Sequence, residues 1–254
     1  MLGPLISWTT RVVPRPLLHR GAVMAGWCLA QCLRGSTFRD PIDGFGYRRL
    51  LPYGRIQRRP NALAPKSLSL ERHRLIWLYL SSDLDILHAS LRVLHIAPEW
   101  CLMKRLEAIP SLMYTTADLE SPWAKVHCDI QALPFADDSF DLILCNHVLE
   151  HIPDDHLAMT ELRRVLSPGG TAILLVPLDL QAEQTLEDPA INTPELREKH
   201  YGQRDHLRMY GRDYPERLAK AGFQVQMLNY ASTLSEQELK KYALGQETLL
   251  VIAS

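Results

Sequence analysis

The chain has no surplus of charge of either sign: 28 Lys and Arg stand against 29 Asp and Glu over 254 residues, a formal net charge of −1. Nucleic-acid binders carry a clear basic excess, so no nucleic-acid partner is expected. The sequence is also short of apolar runs near its basic start. Gly21–Leu33 follows Arg11, Arg15 and Arg20 as the core of a secretory leader would, but it falls short of the ~20 apolar residues a membrane span needs. No small-x-small cleavage site marks it as a leader. It is read as an amphipathic or packed helix, with no stable membrane insertion and a cytoplasmic location expected. Cysteine is sparse and odd in number: Cys28, Cys32, Cys101, Cys128 and Cys145. That argues against a disulfide framework and for reduced, buried thiols. Cys28 and Cys32 could meet on one helix face, but two ligands do not make a metal site, and buried apolar thiols are the reading adopted. Internal repeats and low-complexity tracts are absent.

What is present is an ordinary soluble balance, 46% hydrophobic and 22% charged, in a chain long enough for one α/β domain and an accessory segment. Residues 1–80 form the accessory segment. It is rich in Pro and in Arg (Arg11, Arg15, Arg20, Arg34, Arg39, Arg48, Arg49, Arg55, Arg58, Arg59), read as a solvated basic face. Helical spacing appears there only at Leu68–Leu80. Residues 81–254 form the main domain. Seven short apolar runs (Leu91–Ala97, Leu112–Thr116, Lys125–Cys128, Phe140–Cys145, Thr171–Val176, Phe223–Leu228 and Thr248–Ala253) alternate with helical stretches. Such alternation predicts βαβ units and a mostly parallel, doubly wound, Rossmann-like α/β sheet with helices on both faces. Asp154 or Asp155 should cap a helix to about Leu166, stopped by Ser167-Pro168-Gly169-Gly170. Asp213, with Glu216 three residues on, has the form of a capping box for a helix ending at Gly222.

In such a sheet ligands bind beyond the carboxyl ends of the strands, where strand order reverses. The first strand leads into Pro98 and Glu99, then a helix to about Ala108. Asp118 follows Glu99 by 19 residues, at the end of the second strand. An acid at that spacing is placed to accept both hydroxyls of a ribose. Asp129 ends the third strand, with Ile130 beside it to pack on a base.

Two blocks, CDIQALPFADDSFDLILCNHVLEHIPDD from Cys128 to Asp155 and ELRRVLSPGG from Glu161 to Gly170, resemble the core of class I S-adenosylmethionine-dependent methyltransferases of the type 11 branch. The resemblance covers about Leu91 to Phe223. It implies a seven-stranded sheet with an antiparallel last strand, S-adenosyl-L-methionine as cofactor and a small-molecule methyl acceptor as partner. Carried over residue by residue, it implies that His95, Ile96, Ala97, Pro98 and Glu99 line the methionine moiety. Asp118, with Leu119, meets the ribose; Asp129 and Ile130 meet the adenine; Asn146 and His147 close the pocket near the sulfonium. The departure from the pattern is the first loop, His95-Ile96-Ala97-Pro98-Glu99, which contains no glycine. A non-catalytic cofactor-binding pseudoenzyme is therefore the alternative. A zinc-dependent hydrolase is a further one, since His147-Val-Leu-Glu-His151 matches H-x-x-E-H. That chemistry needs both His on one helical face and a third ligand, neither of which the sequence offers. No metal is expected.

The leader shows a second resemblance, through Leu51-Pro-Tyr-Gly54, Arg59-Pro-Asn-Ala-Leu63 and Ser69-Leu-Glu-Arg-His-Arg74, to relatives carrying two C-P-x-C zinc knuckles. Here those places read Asp40-Pro-Ile-Asp43 and Ala64-Pro-Lys-Ser67, with no thiolates to hold zinc. For catalysis, His206, His151 and His200 are the general-base candidates. The segment from about Asp179 to Arg212 far exceeds an ordinary α/β connection and is expected to cover the acceptor site as a lid.

Overall fold

The computed structural model describes residues 15–54, 58–245 and 248–254, with backbone alone for 15–20. Arg11 and Arg55 of the basic stripe lie outside them, as do the side chains of Arg15 and Arg20. The elements in chain order are α1 (Arg15–Cys32), β1 (Arg34–Arg39), β2 (Gly46–Tyr47), β3 (Leu51–Tyr53), β4 (Arg59–Leu63), α2 (Glu71–Ser82), β5 (Arg92–Ile96), α3 (Trp100–Glu107), β6 (Met113–Asp118), β7 (Val126–His127), β8 (Phe140–Asn146), a 3-10 turn at Leu149–His151, α4 (Asp155–Val165), β9 (Leu166–Leu175), α5 (Pro194–Tyr201), α6 (Tyr214–Lys220), β10 (Val225–Asn229), a second 3-10 turn at Tyr230–Thr233, α7 (Glu236–Lys241) and β11 (Leu249–Ala253). They fall into two compact units. The first takes Met1–Ile86, Trp100–Arg105 and Tyr230–Thr248, and the second the remainder. The sequence boundary at residue 80 lies near the end of the first stretch, while 230–248 joins the unit that the sequence reading confined to 1–80.

In the first unit, α1 buries Gly26, Ala30 and Leu33, one face at i, i+4 and i+7. Gly26 is needed there: a Cβ would stand 2.1 Å from the carbonyl oxygen of Pro65. Cys28 and Cys32 fall off that face and are exposed, against the expectation that they are buried. The run Gly21–Leu33 is apolar at every position but Gln31, and such a run gives no phase until its packing partner is known. Among the described residues no helix is long and apolar enough to cross a membrane. The two knuckle-like turns come together. Buried Asp40 accepts the backbone N–H of Ile42 at 2.9 Å, the Ser69 hydroxyl at 2.9 Å and the Ser67 hydroxyl, while Lys66 Nζ lies 3.3 Å from Asp43 Oδ2. Oxygen-to-oxygen hydrogen bonds tie these turns where thiolates would bind zinc. Arg74, fully buried on α2, donates to the carbonyls of Ala62, Ser69, Tyr242 and Ala243.

The second unit is built on one seven-stranded sheet, ordered β10-β11-β9-β8-β5-β6-β7. Only β11 runs antiparallel to its neighbours β9 and β10. Every apolar run named above supplies one strand. Val93 and Leu94, Leu142–Cys145 and Ala172–Leu174 are buried without alternation, because helices cover both faces of a parallel sheet. The chain leaves β5 for β6 on one side, and β8 pairs with β5 on the other. The carboxyl ends of β5 and β8 therefore form the point where strand order reverses.

Helix α4 is capped by Asp154, whose carboxylate accepts from Leu157 N–H, and it ends at Val165 as expected; Leu166 already pairs with Phe140 as β9 begins. Asp213 directly precedes α6 but forms no capping box. Its carboxylate accepts the Thr185 hydroxyl at 2.7 Å and makes no cap bond, so a long-range donor outcompetes the local one.

Glu161 and Arg164 on α4 explain why the two sequence blocks belong together. Arg164 donates to Glu161, Asp137 and the carbonyls of Leu133 and Phe135, and Glu161 accepts Leu133 N–H at 2.8 Å. Arg164 holds the Glu161 carboxyl below its ordinary range, as Arg92 does for Asp141, in both cases chiefly through side-chain hydrogen bonds. A depressed carboxylate contributes stability that is complete above the unfolded pKa values of about 3.9–4.3 and is lost as the pH falls through the folded ones. Arg164→Met should therefore be less stable than wild type at neutral pH, and the gap should narrow on acidification. Urea midpoints at neutral and acidic pH test this; a pH-independent gap would contradict it.

Candidate functional site

The carboxyl ends of β5, β6 and β8 surround a cavity of about 230 Å³. Of the residues expected at a cofactor site, Ile96, Ala97, Asp118, Leu119, Asp129, Ile130 and His147 line it, as does His151. His95, Pro98, Glu99, Asn146 and His206 are not part of the lining. Cys128, Leu133, Val148 and Ile152 are lining residues the sequence reading did not name. Their signal was available, since all four sit inside the block from Cys128 to Asp155.

The glycine-free first loop is held in shape by two devices. Ala97 takes the left-handed conformation, φ 47°, the region glycine enters most easily. Its N–H donates to the Ala117 carbonyl at 2.8 Å. His95, fully buried, meets Tyr114 Oη at 2.7 Å through Nδ1 and Glu99 Oε2 at 2.6 Å through Nε2. That chain braces both ends of the loop, so His95 supports the wall from behind. His147 opposes Ala97 with φ 55°, its N–H bonded to the Leu175 carbonyl at 2.7 Å. Strained backbone on both sides of the strand reversal marks a built site.

Asp118 ends β6. Its Oδ1 accepts the N–H groups of Glu120 and Ser121 at 2.8 and 2.6 Å. The turn thus fixes the carboxylate and uses one oxygen. Asp129 accepts from Gln131. Leu119 is 65% exposed although it faces the cavity, an apolar surface awaiting cover. Burial raises the Cys128 thiol, with Asp129 and Asp118 adding to the effect, so it stays protonated at neutral pH. Asn146 is buried at the end of β8, and neither polar atom of its side chain has a hydrogen-bond partner.

One wall is different in character. The 3-10 turn after β8 carries Glu150 and His151, and the segment Leu178–Arg212 packs upon it. Leu207 N–H donates to the Glu150 carbonyl at 2.8 Å, and Arg208 donates to the carbonyls of Leu149, Ile152 and Pro153. That docking brings His206 edge-on to His151, ring centroids 4.8 Å apart. His206 is buried, and burial lowers its pKa while the Glu150 charge opposes the change. His147 Nδ1 lies 3.4 Å from Glu150 Oε1. His200 sits on α5, exposed.

Residues 108–174 match the family model described as "Methyltransferase domain". That stretch, about a quarter of the chain, is similar to a methyltransferase domain. The seven strands, with the last one in the chain antiparallel, are those the sequence resemblance implied. The chain is 39% identical over 69 residues to a ubiquinone/menaquinone biosynthesis C-methyltransferase of Xanthomonas oryzae, a match covering 27% of each chain. It is 44% identical over 50 residues to a demethylmenaquinone methyltransferase of Staphylococcus aureus, covering 20% of this chain and 21% of the relative. The chain thus spans about a quarter of the length of these curated relatives. Among solved structures, the YcgJ protein of Bacillus subtilis aligns at 17% identity and a TM-score of 0.47, over 72% of this chain and 97% of that one.

Proposed function

We propose that the chain is an S-adenosyl-L-methionine-dependent methyltransferase acting on a small-molecule acceptor. The observation that carries this reading is the cavity at the strand reversal, where Asp118 and exposed Leu119 stand side by side on the carboxyl end of β6. The residues fit the cofactor. Asp118 keeps Oδ2 for ribose hydroxyls, Leu119 and Ile130 offer apolar cover for a base, and buried Asn146 carries polar atoms in want of a partner. When bound, the cofactor supplies an electrophilic methyl carbon on a sulfonium. The protein's part is then to position the acceptor in line and exclude water. Ala97 and His147 line the cavity at the ends of the paired strands β5 and β8, and the segment from about Asp179 to Arg212 backs the 3-10 turn that carries His151. His151, on that turn, with His206 and Glu150 behind it, is the group placed to activate the acceptor. The relatives' names, a ubiquinone/menaquinone biosynthesis C-methyltransferase and a demethylmenaquinone methyltransferase, support a small acceptor.

The reading is tested by ligand-induced stabilisation. S-adenosylhomocysteine at 100 times its Kd should raise the unfolding free energy by about 2.7 kcal/mol. No stabilisation by the product or by S-adenosylmethionine would refute cofactor binding. Stabilisation without turnover on any acceptor would favour the non-catalytic binding protein.

A further inference from the structure

Glu150 is 1% exposed, and neither oxygen of its carboxylate accepts a hydrogen bond. His147 Nδ1 stands 3.4 Å from Oε1 without a hydrogen bond between them, and a buried carboxylate is costly unless a cation completes it. His206, 2% exposed, pairs its Nδ1 with the Tyr201 carbonyl at 2.9 Å. Nδ1 donates there, so the lone pair of the neutral ring sits on Nε2. That atom too is buried without a hydrogen-bond partner, 4.0 Å from Glu150 Oε1. His151 sets its own Nδ1 3.3 Å from the Asp205 carbonyl, which leaves its Nε2 as the acceptor side. Imidazoles that donate one nitrogen to a backbone carbonyl and keep the other bare are oriented as metal ligands are. One ligand atom from each of Glu150, His151 and His206 falls within 4.8 Å of the other two.

We propose that Glu150, His151 and His206 bind a divalent first-row transition metal of the zinc class. Two imidazoles and one carboxylate are a donor set for that class, and three protein ligands leave a coordination position open. A tetrahedral zinc site has ligand atoms about 3.4 Å apart, so binding draws the three side chains slightly together. The ligands are not the pair an H-x-x-E-H hydrolase would use. His147 Nδ1 stands beside Glu150 Oε1 at 3.4 Å, but it does not join the cluster in which Glu150, His151 and His206 converge, and the third ligand comes from 55 residues beyond His151, out of reach of sequence spacing. Because His151 also lines the cavity, the open position belongs to the acceptor side. This assignment deepens the proposed methyl transfer and rests on it for the identity of what binds there: an oxygen or nitrogen of the acceptor.

The test uses full-length, tag-free protein with the exposed thiols removed by Cys28→Ser and Cys32→Ser, dialysed against Zn²⁺ alone and then against metal-free buffer. Elemental analysis should find one zinc per chain, and Co²⁺ in its place should give visible d–d bands. Glu150→Gln, His206→Gln and His151→Gln should each weaken zinc binding ~10- to 100-fold or more, with His200→Gln, at an exposed position, close to the parent. His151 is only partly buried, so its variant serves if a buried one fails to fold. Zinc absent from the parent, or retained equally by the folded variants, overturns the assignment. S-adenosylmethionine binding is measured on the same samples. Binding without zinc sinks only the metal site, while loss of both sinks the methyltransferase reading as well.

Discussion

Arg208→Met should destabilise the second unit by about 3–5 kcal/mol, the scale of removing one partner from a buried charged network. Arg208 is 1% exposed. Its guanidinium donates to Leu149 O at 2.9 Å, Ile152 O at 2.6 Å, Pro153 O at 3.0 Å and Glu187 Oε1 at 2.6 Å, and it lies 3.7 Å from Asp155 Oδ2. Glu187 is partly exposed, so that contact counts for little once solvent screening is allowed for. The cost sits in the three carbonyls, which lose their only cationic donor, and in buried Asp155, which keeps Tyr210 and Arg217. Lysine should not rescue, because a point charge cannot fork to three carbonyls. Urea unfolding should show a lower midpoint at unchanged slope. A shift worth less than about 1 kcal/mol, the scale of an exposed pair, would show that Arg208 is incidental to docking the segment.

His151→Ala should lower turnover on any acceptor the enzyme accepts by about 10²- to 10⁴-fold, the usual worth of a group that activates the reacting atom. His151 is the member of the Glu150–His151–His206 cluster that reaches the cavity. Its contacts are with the Asp205 carbonyl and the His206 ring, while Asp118 is fixed by its own turn, so affinity for S-adenosylmethionine should stay within about twofold, a few tenths of a kcal/mol. The split is diagnostic: kcat falls while cofactor binding holds. The pH–rate profile should change shape as well, which a merely structural loss would not bring about. Equal losses in kcat and cofactor affinity would place His151 in the cofactor half instead.

Much of this was legible in the sequence because parallel strands write themselves as unbroken apolar runs. Even β7, two residues long, was marked by Lys125–Cys128. Asp118, Asp129 and their apolar neighbours were found by position after successive strands. What stayed hidden depends on side chains meeting across the fold. The His95–Tyr114–Glu99 brace joins two strands and a loop, and nothing in the spacing of the residues announces it. The convergence of His206 on His151 requires the long segment to dock through Arg208, which reads in sequence as one more charged residue. Asp213 has the spacing of a cap, yet Thr185 claims its carboxylate. The transfer of 230–248 to the first unit rests on contacts such as Arg74 with the Tyr242 carbonyl and Tyr230 with Asp83, separated by about 150 residues of chain or more.

The central claim is that S-adenosylmethionine sits in the cavity against Asp118, and calorimetric titration of three proteins decides it. Wild type should bind one equivalent. Asp118→Ala should bind more weakly by about 1.5–3 kcal/mol, the worth of hydrogen bonds to a charged group. Asp118→Asn keeps an Oδ1 acceptor for the N–H groups of Glu120 and Ser121, so it preserves the turn while removing the charged Oδ2. It should be impaired nearly as much as the alanine variant, which separates ribose recognition from support of the loop. Wild-type affinity in both variants, or no binding by the wild type, would contradict the account.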